Sequence, residues 1–235
     1  MDKSPHQKSQ LSYYGETPLE YEKEGRGLTR NYRRKADIIR AAVAPLAPSK
    51  ILEIGAGSGL MTYFFMQSFG GEYTALDLSP EMLKLAEGRI KQKNICYVCG
   101  DGAAPDFPEG YFDAVIGVDI IHHLEDPVSA MSRWKSLARP GGKMCFLETN
   151  IYNPINIREI GVEHEVRVFL NTDKNLAKWS KLAGWRAVQV SPAPAYTPGK
   201  PEILTPVYDW IDKVSVKIPL WNKLTALWLI DNTNE

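Results

Sequence analysis

The sequence predicts an α/β fold, a parallel sheet with helices on both faces, and three observations point to it. Short apolar runs alternate with amphipathic stretches from residue 51 to residue 147, and runs that are apolar throughout belong to strands covered on both sides. A glycine-rich turn, Gly55-Ala56-Gly57-Ser58-Gly59, follows the first run. Acidic residues recur where successive runs end, at Asp77, Asp101 and Asp119, the edge at which open α/β sheets bind ligands. With 235 residues, 44% of them apolar, the chain has material for one continuous core, so a single embellished domain over 28–235 is expected.

The elements follow in order. Residues 1–27 are polar and turn-rich and read as a flexible segment or lid carrying Tyr13, Tyr14 and Tyr21. Tyr32, Ala36, Ile38, Ile39 and Val43 recur at helical spacing, which predicts a helix from Leu28 to Ala44 that ends near Pro45. Its basic residues, Lys35 and Arg40 among them, read as a solvated face, with contact to an anionic substrate or membrane surface as the alternative. Strands are predicted from Ile51 to Ile54, Tyr73 to Leu78, Cys96 to Cys99, Ala114 to Val118 and Lys143 to Leu147. Helices are predicted from Leu60 to Phe69, Pro80 to Lys91 and Val128 to Leu137. Ser79-Pro80-Glu81 is a helix start, and Pro140-Gly141-Gly142 reads as a stop before a strand.

Beyond residue 147 the alternation loosens, and 150–170 reads as an embellishment over the site. A helix from Thr172 to Ala183 then leads to a strand from Trp185 to Val190. An insertion over 191–223 and a last strand from Leu224 to Ile230 complete the chain. Within the insertion, Trp210, Ile211, Val214 and Trp221 belong to an aromatic, apolar stretch interrupted by charge. It suits the wall of an apolar acceptor pocket, a bilayer surface, a dimer interface or plain core packing.

Composition excludes several classes. Lys and Arg total 28, as do Asp and Glu, so no global field draws in a phosphate backbone and nucleic acid is not an expected partner. The first ten residues are polar and no stretch is long and uncharged enough to span a bilayer, so a cytoplasmic protein is expected, with peripheral membrane contact left open. Cys96 and Cys99 form a C-x-x-C inside a predicted strand and read as buried small hydrophobes. With four histidines and no further ligand at a suitable spacing, no metal site is expected.

The glycine turn lets backbone approach a ligand without side-chain obstruction. Its spacing is G-x-G-x-G behind Glu53, whereas the dinucleotide fingerprint is G-x-G-x-x-G. Asp77, at the end of the second strand, is placed to accept hydrogen bonds from both hydroxyls of a ribose. The cleft reads as acidic, which suits a cationic cofactor.

The stretches ILEIGAGSG, ALDLSPEML, GDGAAPDFPEGYFDAVIGVDIIHHLEDP and LARPGGKMCFLE together resemble the class I S-adenosylmethionine-dependent methyltransferases that modify small molecules. The likeness spans roughly Lys50 to Glu148. It implies a Rossmann-like, doubly wound, mostly parallel seven-stranded sheet whose last strand is antiparallel. It also implies S-adenosyl-L-methionine as cofactor and a small-molecule acceptor, with apolar compounds such as a quinone, polyketide or lipid precursor among the candidates. By the resemblance Gly55, Ala56, Gly57 and Gly59 form the loop that holds the methionine moiety, with Glu53 orienting it. Asp77 takes the ribose, Leu78 the adenine face, Asp101 with Gly102 the adenine edge, and Asp119 lies near the amino-acid end. If the acceptor is a hydroxyl, a base assists, and His123, His122 and His164 are the candidates, with His123 placed slightly ahead. An NAD(P)-dependent Rossmann oxidoreductase and a catalytically inactive cofactor-binding subunit are the competing readings.

Overall fold

The computed structural model describes residues 8, 25–153, 156, 166–193, 210, 214, 218, 225 and 227–234. His164, Tyr13, Tyr14 and Tyr21, and most of the 191–223 insertion, lie outside them. The leading helix, α1 (Gly25–Val43), closes on a 3-10 turn, Ala44–Leu46, with Pro45 in its first turn. The alternating elements follow as β1 (Lys50–Ile54), α2 (Leu60–Met66), β2 (Glu72–Asp77), α3 (Pro80–Arg89), β3 (Ile95–Cys99), β4 (Phe112–Val118), α4 (Pro127–Leu137) and β5 (Ala138–Thr149). Then come a 3-10 segment (Val166–Leu170), α5 (Asp173–Leu182), β6 (Ala187–Ala193) and β7 (Leu227–Thr233).

The strands form one sheet in the order β3-β2-β1-β4-β5-β7-β6. β1 to β5 pair in parallel, and β7 runs antiparallel to both β5 and β6. Because side chains alternate across a strand, Ile51 joins Ala36, Ile39, Phe64 and Phe65 on one face. Leu52 and Ile54 join Met131, Trp134 and Phe146 on the other. Strand order reverses between β1 and β4, which opens a crevice above their carboxyl ends.

Three expectations are corrected. Cys96 and Cys99 are both exposed, because β3 is an edge strand that is buried at none of its five positions. Pro140-Gly141-Gly142 does not stop the chain before β5; it lies inside β5, where the pairing shifts from Phe112↔Ala138 to Ala114↔Lys143. The last strand runs to Thr233 rather than ending at Ile230, since Asp231 is held in the sheet by Lys143, whose Nζ lies 3.0 Å from its Oδ2.

Candidate functional site

The turn after β1 is held by backbone: the amides of Gly55 and Ala56 both donate to the Leu76 carbonyl at the end of β2, at 2.8 and 3.0 Å. Gly57 and Gly59 both have positive φ, 53° and 75°, but they serve different purposes. A Cβ on Gly57 would meet nothing within 4 Å, so the turn faces open space there, whereas one on Gly59 would strike Ala86 Cβ at 2.7 Å. Gly59 is therefore a packing residue, where α2 crosses α3.

Asp77 ties this turn to the next one. Its Oδ2 accepts the Gly57 amide at 2.7 Å and its Oδ1 accepts that of Ser79 at 2.9 Å. Burial raises its carboxyl above the ordinary range, although the amides of Ser79, Gly57 and Leu78 pull it back. Glu53 lies buried beneath the turn and accepts hydrogen bonds from Thr62 Oγ1 at 2.5 Å and Tyr73 Oη at 2.9 Å. Burial pushes it up to about 7.

The crevice has two lobes. The first, about 300 Å³, is lined by Glu53, Gly55, Ala56, Gly57, Asp77, Leu78, Asp119, His122 and His123 together with Tyr32 of α1. The second, about 330 Å³, is lined by Asp101 and Gly102 and shares Gly55, Asp77, Leu78, Ile120 and His123 with the first. Every described candidate except Gly59 thus lines one lobe or both.

Asp119 stands in the left-handed region at φ 52°, uncommon for a residue with a side chain. Its Oδ2 lies 2.5 Å from Lys35 Nζ, and its Oδ1 accepts Thr149 Oγ1 at 2.9 Å. Burial would raise its carboxyl, but the Lys35 ammonium and hydrogen bond hold it below the ordinary value. Arg30 and Arg33 of α1 are exposed, as a solvated basic face requires, but that reading is corrected for Lys35 and Arg40. Lys35 is 5% exposed, and Arg40 donates to the Phe64 carbonyl at 2.6 Å, where α2 ends. The expected surplus of negative charge in the cleft shrinks accordingly, because Lys35 compensates Asp119 and Glu53 holds its proton up to about 7.

After β4 a 3-10 turn, Ile121–His123, carries the two histidines. His122 is buried and its Nδ1 lies 3.0 Å from Glu148 Oε2, while the two imidazole rings are 4.0 Å apart. Glu148, with no exposed surface, also accepts the amides of Ile120 and Ile121 at Oε1, at 2.8 and 2.7 Å. Its Oε2 further accepts Asn171 Nδ2 at 2.7 Å. Glu148 and Asn171 were not anticipated, and Lys35 was expected on a solvated face or against an anionic substrate or membrane rather than paired with Asp119. Lys35 had a signal, since it stands three residues after Tyr32 and four before Ile39, inside the apolar stripe. Glu148 had one too, a lone carboxylate closing an apolar run; nothing local marks Asn171.

Residues 52–146 match the family of methyltransferase domains. Ubiquinone biosynthesis O-methyltransferase of Xanthomonas campestris pv. campestris is 30% identical over 159 residues, a match that spans 64% of this chain and 65% of that relative's length. Among solved structures, a chain of the complex between the Haloferax volcanii Trm112 methyltransferase activator and a methyltransferase superposes with a TM-score of 0.67. It is 15% identical over all of this chain and 99% of that one. Haemonchus contortus phosphoethanolamine N-methyltransferase 2, solved with S-adenosyl-L-methionine, gives a TM-score of 0.57 at 17% identity over 84% of this chain and 52% of that one. At such identities the superpositions establish the fold alone; the likeness to methyltransferase domains lies in the sequence of residues 52–146. Residues 52–146 are thus similar to methyltransferase domains, and the chain spans just under two thirds of the length of the Xanthomonas relative that it matches.

Proposed function

We propose that the chain binds S-adenosyl-L-methionine across the two lobes and transfers its methyl group to a hydroxyl of a small molecule. The two-lobed crevice at the point where strand order reverses, with Asp77 at the junction of the lobes, carries this reading. The residues present fit the cofactor. Gly57 leaves open space where a side chain would stand. Each Asp77 oxygen, already accepting one amide, retains a lone pair for a ribose hydroxyl. Asp101 and Gly102 line the second lobe, where the adenine would lie, and Asp119 and Glu53 line the first.

When bound, the cofactor supplies a methyl group already activated on a sulfonium. What remains for the chain is to align the acceptor, exclude water and take the acceptor's proton. His122 lines the first lobe with Nδ1 engaged by Glu148, an arrangement that leaves Nε2 as the basic nitrogen. It therefore takes precedence over His123 as general base. A hydroxyl acceptor also agrees with the named activity of the Xanthomonas relative, an O-methyltransferase of ubiquinone biosynthesis, and a phenolic, partly apolar acceptor is the first class to screen.

The test is calorimetric titration of the full chain with S-adenosylmethionine, S-adenosylhomocysteine and NADH, beside Asp77→Ala. Saturable binding of the sulfur compounds, weakened ten- to hundredfold in the variant, is expected. Binding of NADH alone would overturn the reading in favour of an oxidoreductase. Turnover on a phenol panel then separates an enzyme from a subunit that only binds the cofactor.

A further inference from the structure

Three N–H groups and one imidazole nitrogen converge on the buried Glu148 carboxylate: Ile120 N and Ile121 N at Oε1, Asn171 Nδ2 and His122 Nδ1 at Oε2. The two oxygens divide the work. Oε1 fixes the turn whose Ile120 lines both lobes, and Oε2 fixes the ring of His122. Asn171 stands at the start of the segment leading into α5, 23 residues from Glu148, and has no exposed surface. Its amide orientation is decided by its partner, because turning it over would set a carbonyl oxygen against a carboxylate oxygen. The orientation found leaves Asn171 Oδ1 buried without a hydrogen-bond partner, so the contact to Glu148 is the one polar contact that the amide side chain makes among the described residues. The segment that carries it is tied to the same region a second time, since Arg167 donates to the carbonyls of Leu124 at 2.6 Å and Glu125 at 3.1 Å.

We propose that Glu148 and Asn171 are positioning residues that lock His122 in the Nδ1–H tautomer, so that Nε2 is the basic nitrogen of the ring. Glu148 acts directly, as the acceptor of Nδ1–H. Asn171 acts through Glu148, by holding Oε2 in the place where the ring meets it. The tautomer that a second partner imposes on an imidazole determines which nitrogen is basic. The stretch from Val166 to Asn171 and the turn carrying the histidines are thereby joined through one carboxylate. This inference rests on the methyltransferase reading, yet the tautomer is measurable without any acceptor.

The experiment is side-chain ¹⁵N correlation spectroscopy of the histidines in the full chain with S-adenosylhomocysteine added, His122 being assigned by its loss in His122→Asn. Four histidines make the spectrum tractable. In the native chain at pH 8 the His122 Nδ1 is expected at a protonated and Nε2 at an unprotonated shift. Glu148→Gln and Asn171→Ala are each expected to move both shifts toward the averaged values of a ring exchanging between tautomers, more in Glu148→Gln. A native His122 protonated at Nε2, or shifts unchanged in both variants, would overturn the proposal. The native spectrum decides even if a variant fails to fold. Calorimetry with S-adenosylhomocysteine runs alongside: absence of binding by the native chain would count against the methyltransferase reading and leave the tautomer result standing.

Discussion

Lys35 and Asp119, 84 residues apart, meet at 2.5 Å and join α1 to the floor of the first lobe. The lysine side chain is 7% exposed and the aspartate 29%. Removing the cation leaves a largely buried carboxylate without its counter-charge, which costs about 2–4 kcal/mol, discounted from a fully buried pair because water reaches Asp119. Lys35→Met is expected to lower the urea midpoint by that amount, and the double variant with Asp119→Asn to recover part of it. Equal losses in a double-mutant cycle with no coupling would show the pair to be inert.

Gly57 and Gly59 are expected to separate binding from stability. Gly59→Ala drives a methyl into the backbone and side chain of Ala86 and should cost about 2 kcal/mol or more, with strain from the left-handed backbone added to the overlap. Gly57→Ala meets no neighbour and should cost about 1 kcal/mol in backbone strain, while occupying space in the cofactor lobe. Thermal melts beside calorimetry check this: the first variant should lose mainly melting temperature, the second mainly cofactor affinity.

His122→Ala is expected to reduce kcat by about a hundredfold or more, the usual contribution of a placed general base, with cofactor affinity within a few-fold of native. His123→Ala should act less on kcat and more on cofactor binding, because His123 lines both lobes. Single-turnover rates with the acceptor found by screening decide between them; an unaffected kcat in His122→Ala would remove it as the base.

Glu53 makes stability depend on pH in an unusual direction for a carboxylate. Its folded carboxyl titrates near 7, whereas an unfolded glutamate titrates near about 4.3. Between these values the folded chain keeps a proton that the unfolded chain has lost, so stability contributed by Glu53 falls as pH rises through the window and levels off above it. The change is on the order of 3 kcal/mol. Glu53→Gln should flatten the decline, measured as urea midpoints from about pH 4.5 to 8; an unchanged slope would assign it to other groups.

Thiol labelling checks the edge of the sheet. Cys96 and Cys99 are exposed, while Cys145 has no exposed surface and burial pushes its thiol well up. Two thiols per chain should react rapidly with an aromatic disulfide in the folded protein, and the third only on unfolding.

The strand and helix order was legible because each element writes its own periodicity. Ile51 to Ile54 and Ala114 to Val118 carry apolar residues on both faces, Glu53 being the exception, and β1 and β4 stand inside the sheet. The same rule misled at Cys96 and Cys99, since periodicity shows which face a residue takes and not whether anything covers it. Pro140-Gly141-Gly142 misled for a related reason: Gly142 packs against the Asp113 and Arg139 carbonyls, and a glycine chosen for close approach looks like one chosen for a turn.

The order of strands, the glycine turn behind Glu53 and the acids at strand ends were set by the chain locally, since backbone freedom and side-chain alternation are properties of neighbouring residues. The charge of the cleft and the surroundings of its histidines were decided only by tertiary packing. Lys35 compensates Asp119 from α1, Glu148 reaches His122 across 26 residues of chain, and Asn171 reaches Glu148 across 23. Charges and imidazole tautomers respond to whatever lies within a few ångströms, and at such separations in sequence proximity is settled by how helices pack on the sheet.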